Sequence, residues 1–122
     1  MAPTKQAQRV LTLDDITAAD DRTTRTVDVP EWGGSVVVRG LTLEEARDIQ
    51  RASIQGGEVD ETKVMVLTIS AGCVDPVIPR DQAMILAQKR AGNVIRLCVA
   101  INELTGASPQ EVDAAIREFR EG

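Results

Sequence analysis

The sequence predicts an α+β domain, mainly helical, in which an N-terminal β-hairpin packs on a bundle of four to five short helices. Three observations carry this. Residues 27–39, V-D-V-P-E-W-G-G-S-V-V-V-R, read as strand, tight turn and returning strand. Two capping boxes, Thr42 with Glu45 and Ser108 with Glu111, mark the openings of two helices. Between them Val94, Leu97, Cys98, Ile101 and Leu104 recur at helical spacing.

Residues 1–10 are polar and aperiodic and are expected to be a disordered N-terminus; residues 11–122 are expected to form one domain. In L-T-L-D-D-I-T-A-A-D-D, Thr12 is placed to cap a short helix. Asp14 and Asp15 fall in its first turn, where carboxylates suit the helix dipole. Leu13 and Ile16 form its apolar face. So short a helix is unstable alone and must dock on its own domain or on a partner. Val27 and Val29 alternate with Thr26 and Asp28 as in a half-buried strand, Pro30 ends it, and Gly33 and Gly34 supply the turn. Val36 and Val38 share one face of the returning strand.

Residues 42–53 form a helix with Leu43, Ala46, Ile49 and Ala52 as its stripe; Glu44 with Arg47 and Asp48 with Arg51 are favourable neighbours on its wet side. Gly56-Gly57 breaks the chain. Residues 59–73 are apolar almost all round, the mark of a central buried helix, with a strand as the alternative because of their β-branched content. Gly72 and residues 75–79 read as a loop. Residues 80–90 read as a helix with Ala83, Met84, Leu86 and Ala87 inward. Asn93 is placed to cap the next helix, which Gly106 ends. The last helix opens at Ser108-Pro109 and carries the stripe Val112, Ala115, Ile116, Phe119.

The composition narrows the function. The chain has 122 residues and a formal net charge of −5, which argues against a nucleic-acid or anionic-membrane surface. It has no His, so the commonest general base and metal ligand are missing. Two isolated cysteines, Cys73 and Cys98, do not make a zinc site and are expected to be buried free thiols in a reducing compartment; a disulfide is left open. Neither a nucleophile elbow nor a Gly-rich phosphate loop is present. The acidic pairs Asp14-Asp15, Asp20-Asp21 and Glu44-Glu45 lack calcium-loop spacing and read as solvated helix starts and turns. The expectation is a binding protein with no catalytic residues, cofactor or metal. M-A-P-T-K-Q-A-Q-R has no apolar signal core, and the longest uncharged run, residues 64–74, is too short to span a membrane.

Two features point to binding. Trp32, the only Trp, lies in the hairpin turn, where it either caps the local core or anchors a partner. The helical stripes serve mainly as core, with a remainder free to form a groove or dimer face.

The acidic L-T-L-D-D-I-T-A-A-D-D segment, followed by V-D-V-P-E-W-G-G-S-V-V-V-R-G-L-T, an acidic helix and a helical C-terminal half, resembles the tail assembly chaperones of long-tailed bacteriophages. Residues 27–42 carry most of the likeness, and N-V-I-R-L-C-V-A-I-N-E-L-T-G with S-P-Q-E resembles the closing segment more loosely. The G-C-V-D-P-V-I-P stretch departs from the family's pattern. The resemblance implies a protein that binds the tape measure protein, keeps it soluble and helps recruit tail tube protein. It would act in the host cell cytoplasm and be absent from the mature virion; a longer frameshifted form is common in such families. The residues expected to contact the partner are Trp32, Val36, Val38, Leu97, Ile101, Val112, Ile116 and Phe119. Self-association is compatible with the striped helices, though no heptad run sets its order. The rival expectation is a structural virion component, a tail-completion or connector protein, joining subunits through hairpin edges. A small enzyme and an acidic nucleic-acid mimic fit the residues less well.

Overall fold

In the computed structural model, residues 9–121 are described, so the expectation of disorder over residues 1–10 falls largely outside them. Helix α1, Leu13–Ala18, opens with a capping box in which the Thr12 N–H donates to Asp15 at 2.9 Å and the Asp15 N–H returns to the Thr12 hydroxyl at 3.1 Å. Strands β1, Thr24–Val29, and β2, Gly34–Arg39, pair antiparallel around a 3₁₀ turn at Pro30–Trp32, closed by Gly33 at φ 85°. Helix α2, Leu43–Ala52, follows, with the same reciprocal cap between Thr42 and Glu45. A two-stranded ribbon, β3 Ile54–Gln55 and β4 Glu58–Val59, turns at Gly56-Gly57. Helix α3, Glu61–Gly72, is capped by Asp60. It runs into β5, Cys73–Asp75, which adds to the hairpin in the order β1-β2-β5. A 3₁₀ helix, Arg80–Gln88, leads to α4, Ala91–Thr105, and α5, Pro109–Glu121.

The architecture is the mainly helical α+β arrangement expected, with the hairpin packed on helices. Val27, Val29, Val36 and Val38 line its inner face and meet the inner side of α4, while α3 fills the centre against the 3₁₀ helix, α4 and α2. Long-range polar contacts fix the layers. Arg22 donates to the Gly40 carbonyl and to Glu45 at 2.8 Å. The Leu41 N–H donates to the Thr105 hydroxyl at 2.8 Å, tying the end of α4 to the corner between β2 and α2.

Of the two docking places open to α1, its own domain is not used: α1 has no buried residue, and Leu13 is 74% exposed. Five local expectations are corrected. In α2, Ala46, Ile49 and Ala52 face the core as expected, joined by Gln50 and Ser53, but Leu43 is exposed. A three-residue series drifts about 60° per step on a 3.6-residue helix, so its first member turns away from the face of the others. Asp48 pairs with Arg80 at 2.8 Å instead of with Arg51. Residues 73–75 are a strand, because β2 offers them a free edge. Residues 80–88 wind as 3₁₀, whose three-residue turn brings only Ala83 and Leu86 inward and leaves Met84 and Ala87 outside. Asn93 is not the cap of α4: the helix starts two residues earlier, and the buried Asn93 amide donates to Glu31 at 2.8 Å.

Two predictions follow from the packing. A Cβ at Gly40 would lie 2.7 Å from the Leu104 carbonyl oxygen, and one at Gly72 would lie 2.6 Å from the buried Ile101 side chain. Gly40→Ala and Gly72→Ala are each expected to cost about 1–3 kcal/mol, read as a lowered urea midpoint. The Asp15 carboxyl is held below its ordinary 3.8 by the Thr12 backbone N–H, the Thr12 hydroxyl and Arg9, in that order. A lowered folded-state value stabilises above the unfolded one and is lost as pH falls through the folded one. Amide shifts of residues 12–18 are therefore expected to report fraying of α1 only on acidification below about 3.8, while α2–α5 stay folded.

Candidate functional site

Helix α4 is more apolar than one buried face requires. Val94, Leu97, Cys98, Ala100 and Ile101 enter the core, and Ile95 and Val99 remain outside, each 48% exposed. Four residues apart, these two stack on one side of the helix. Met65 of α3 and Pro109 at the start of α5 complete an apolar depression of about 430 Å³ around them. A second depression of about 180 Å³, lined by Val66, Leu86, Val94 and Lys89, shares Met65 and Ile95 with the first. Together they form one groove along α4, closed at one end by the reciprocal cap of Ser108 and Glu111 (2.8 and 3.1 Å).

Few polar groups face this groove, and they are mostly spent. Thr68 donates back to the Val64 carbonyl at 2.8 Å. The Asn102 amide contacts the Cys98 sulfur at 3.7 Å, and its oxygen is buried without a partner among the described residues. Burial pushes the Cys98 thiol above its ordinary value and the Cys73 thiol up to about 11, and the two are unbonded. Such thiols behave as small apolar groups. The groove is equipped to accept an aliphatic surface.

The residues expected to bind a partner separate into two groups. Val36, Val38, Leu97 and Ile101 are core: the hairpin's inner face and the inner side of α4 cover each other, so these four are not available to a partner in this fold. Trp32, Val112, Ile116 and Phe119 stay accessible in differing degree. Trp32 is 37% exposed at the hairpin tip, which Glu31 pins to α4 through Arg90 and Asn93. Val112 packs against the core where α5 crosses α2, Ile116 is half-buried, and Phe119 is 87% exposed near the end of α5. The structure does not bring Trp32 and Phe119 into the groove. Ile95, Val99, Met65 and Pro109 were missed by the sequence reading. Their signal is an excess: residues 94–101 hold more apolar positions than one face can bury.

Among the described residues there is no group of three or more Cys, Asp or Glu able to hold a metal, and no helix is long and apolar enough to cross a membrane. Compared with protein-family models, curated proteins and solved structures, the chain matches none.

Burial makes the thiol prediction specific. Raising a thiol from 9.0 to about 11 cuts its thiolate fraction about a hundredfold at neutral pH. Iodoacetamide is expected to label Cys73 at least tenfold more slowly in the native protein than in urea, as read by intact mass.

Proposed function

We propose that this chain is a tail assembly chaperone of a long-tailed bacteriophage, acting in the host cytoplasm on the tape measure protein and aiding tail tube assembly. The observation that carries the proposal is the run V-D-V-P-E-W-G-G-S-V-V-V-R-G-L-T, residues 27–42, with its resemblance to that family. The groove along α4 supports it physically. A tape measure protein is long and helical, and a helix laying an apolar stripe on Met65, Ile95 and Val99 removes aliphatic surface from water on both partners. The exposed Phe119 and the half-exposed Trp32 are secondary contacts in this proposal.

A structural virion role has one observation in its favour. Among the described residues strand β1 is a sheet edge with no partner on its outer side, open to pairing between subunits.

Co-expression with the tape measure protein of the same phage tests the proposal. A soluble complex is expected, with the tape measure protein insoluble alone. Ile95→Glu with Val99→Glu is expected to weaken the complex at least tenfold, about 1.4 kcal/mol. No association on co-expression, with the chain instead recovered from purified particles, would overturn the proposal in favour of the virion component.

A further inference from the structure

We infer, resting on the chaperone reading above, that the α4 groove selects its client helix by charge order as well as by apolarity. The segment it takes carries an aliphatic stripe, with an acidic residue at one end and a basic residue about three turns further on.

The groove extends beyond its apolar floor. At the end closed by the Ser108–Glu111 cap, a further depression of about 370 Å³ opens beside Val99 and Asn102, which also line the middle one. The three depressions follow α4 from Ala91 to Gly106, about 22 Å at 1.5 Å per residue. Their charged linings differ in sign. Among the described residues the first has Lys89, the middle one has no charged side chain, and the last has Glu103 and Glu111. The dipole of α4 has the same sense, positive beside Lys89 and negative beside Glu103. The groove is therefore basic at one end, aliphatic in the middle and acidic at the other.

Neighbouring charges leave this order in place. Arg90, next to Lys89, is paired with Glu31. Glu103 is paired with Arg25 at 2.7 Å, but both side chains are exposed, and such surface pairs are weak enough for a second cation to share the carboxylate. Glu111 accepts the Ser108 N–H through one carboxylate oxygen at 2.8 Å, leaving the other to an incoming donor.

The floor also decides the client's backbone. The groove runs between helices, whose N–H and C=O groups are paired internally, so it offers no free edge to an extended segment. An extended chain on Met65, Ile95 and Val99 would leave backbone groups unpaired over aliphatic surface, whereas a helix pairs its own. Ala91 and Glu103 are about 18 Å apart along α4, so an acid and a base about 11 residues apart on one face of the client helix reach the two charged ends. A long client helix has its own termini elsewhere. Side-chain charge, and not a helix end, meets Lys89 and Glu103.

Three synthetic helical peptides of about 18 residues, alanine-rich and sharing one isoleucine stripe, test this against the full chain by fluorescence anisotropy. One carries Glu at one end of the stripe and Lys at the other; the second carries Glu at both ends and the third Lys at both. At about 50 mM salt the mixed peptide is expected to bind at least about threefold more tightly than either of the others, and the margin is expected to vanish at about 1 M, where charges are screened within about 3 Å. Lys89→Glu is expected to move the preference to the Lys-only peptide. Glu103→Lys with Glu111→Gln, in which Gln still closes the Ser108 box, is expected to move it to the Glu-only peptide. Circular dichroism is expected to be unchanged in both variants. Equal binding of the three peptides, failure of all three to bind, or a preference that these variants do not move would overturn the inference. Co-expression with the tape measure protein decides the chaperone reading separately, because it asks for a complex whatever the charge order.

Discussion

Helix α3 has almost no wet face, and the other elements are placed by the need to cover it. Val64, Val66, Leu67, Thr68 and Ile69 are all buried, and Gly72 lets Ile101 of α4 close on its last turn. Each such aliphatic side chain is worth about 1.5–3 kcal/mol when taken fully from water. No single neighbour can cover a helix that is apolar almost all round beyond its first turn. The 3₁₀ helix, α4 and α2 share the task, and β5 carries the chain from the end of α3 directly into the hairpin sheet.

That arrangement explains the surfaces left over. Helix α4 must present one face to α3 and to the hairpin above it, which uses Val94, Leu97, Cys98 and Ile101. Its remaining apolar side, Ile95 and Val99, then opens onto the groove. Helix α1 stands outside the core with no buried residue, and behind it Arg22 is held on the Gly40 corner.

The element types were largely legible because helix starts are written in local code. Thr12 with Asp15, Thr42 with Glu45, and Ser108 with Glu111 each close hydrogen bonds over three residues. No distant neighbour is needed to satisfy them. The hairpin was legible for a similar reason, through valine alternation around Gly33. Legibility failed where a distant partner outbid the local one. Asn93 had the residue type of a cap, but Glu31 in the hairpin takes its amide into a part-buried contact. Cys73 continued an apolar helical run, but the edge of β2 draws it into the sheet.

The candidate site divides the same way. The sequence by itself determined the helices that open with their own caps and the valine hairpin, and which side chains are aliphatic enough to seek cover. It did not determine which of them find it. Leu97 and Ile95 are two positions apart on one helix, yet one is buried and the other lines a groove. Periodicity assigns a face to each residue. Only the packing of α3, the hairpin and the 3₁₀ helix around α4 decides which faces are covered, because burial is a property of neighbours brought together from across the chain.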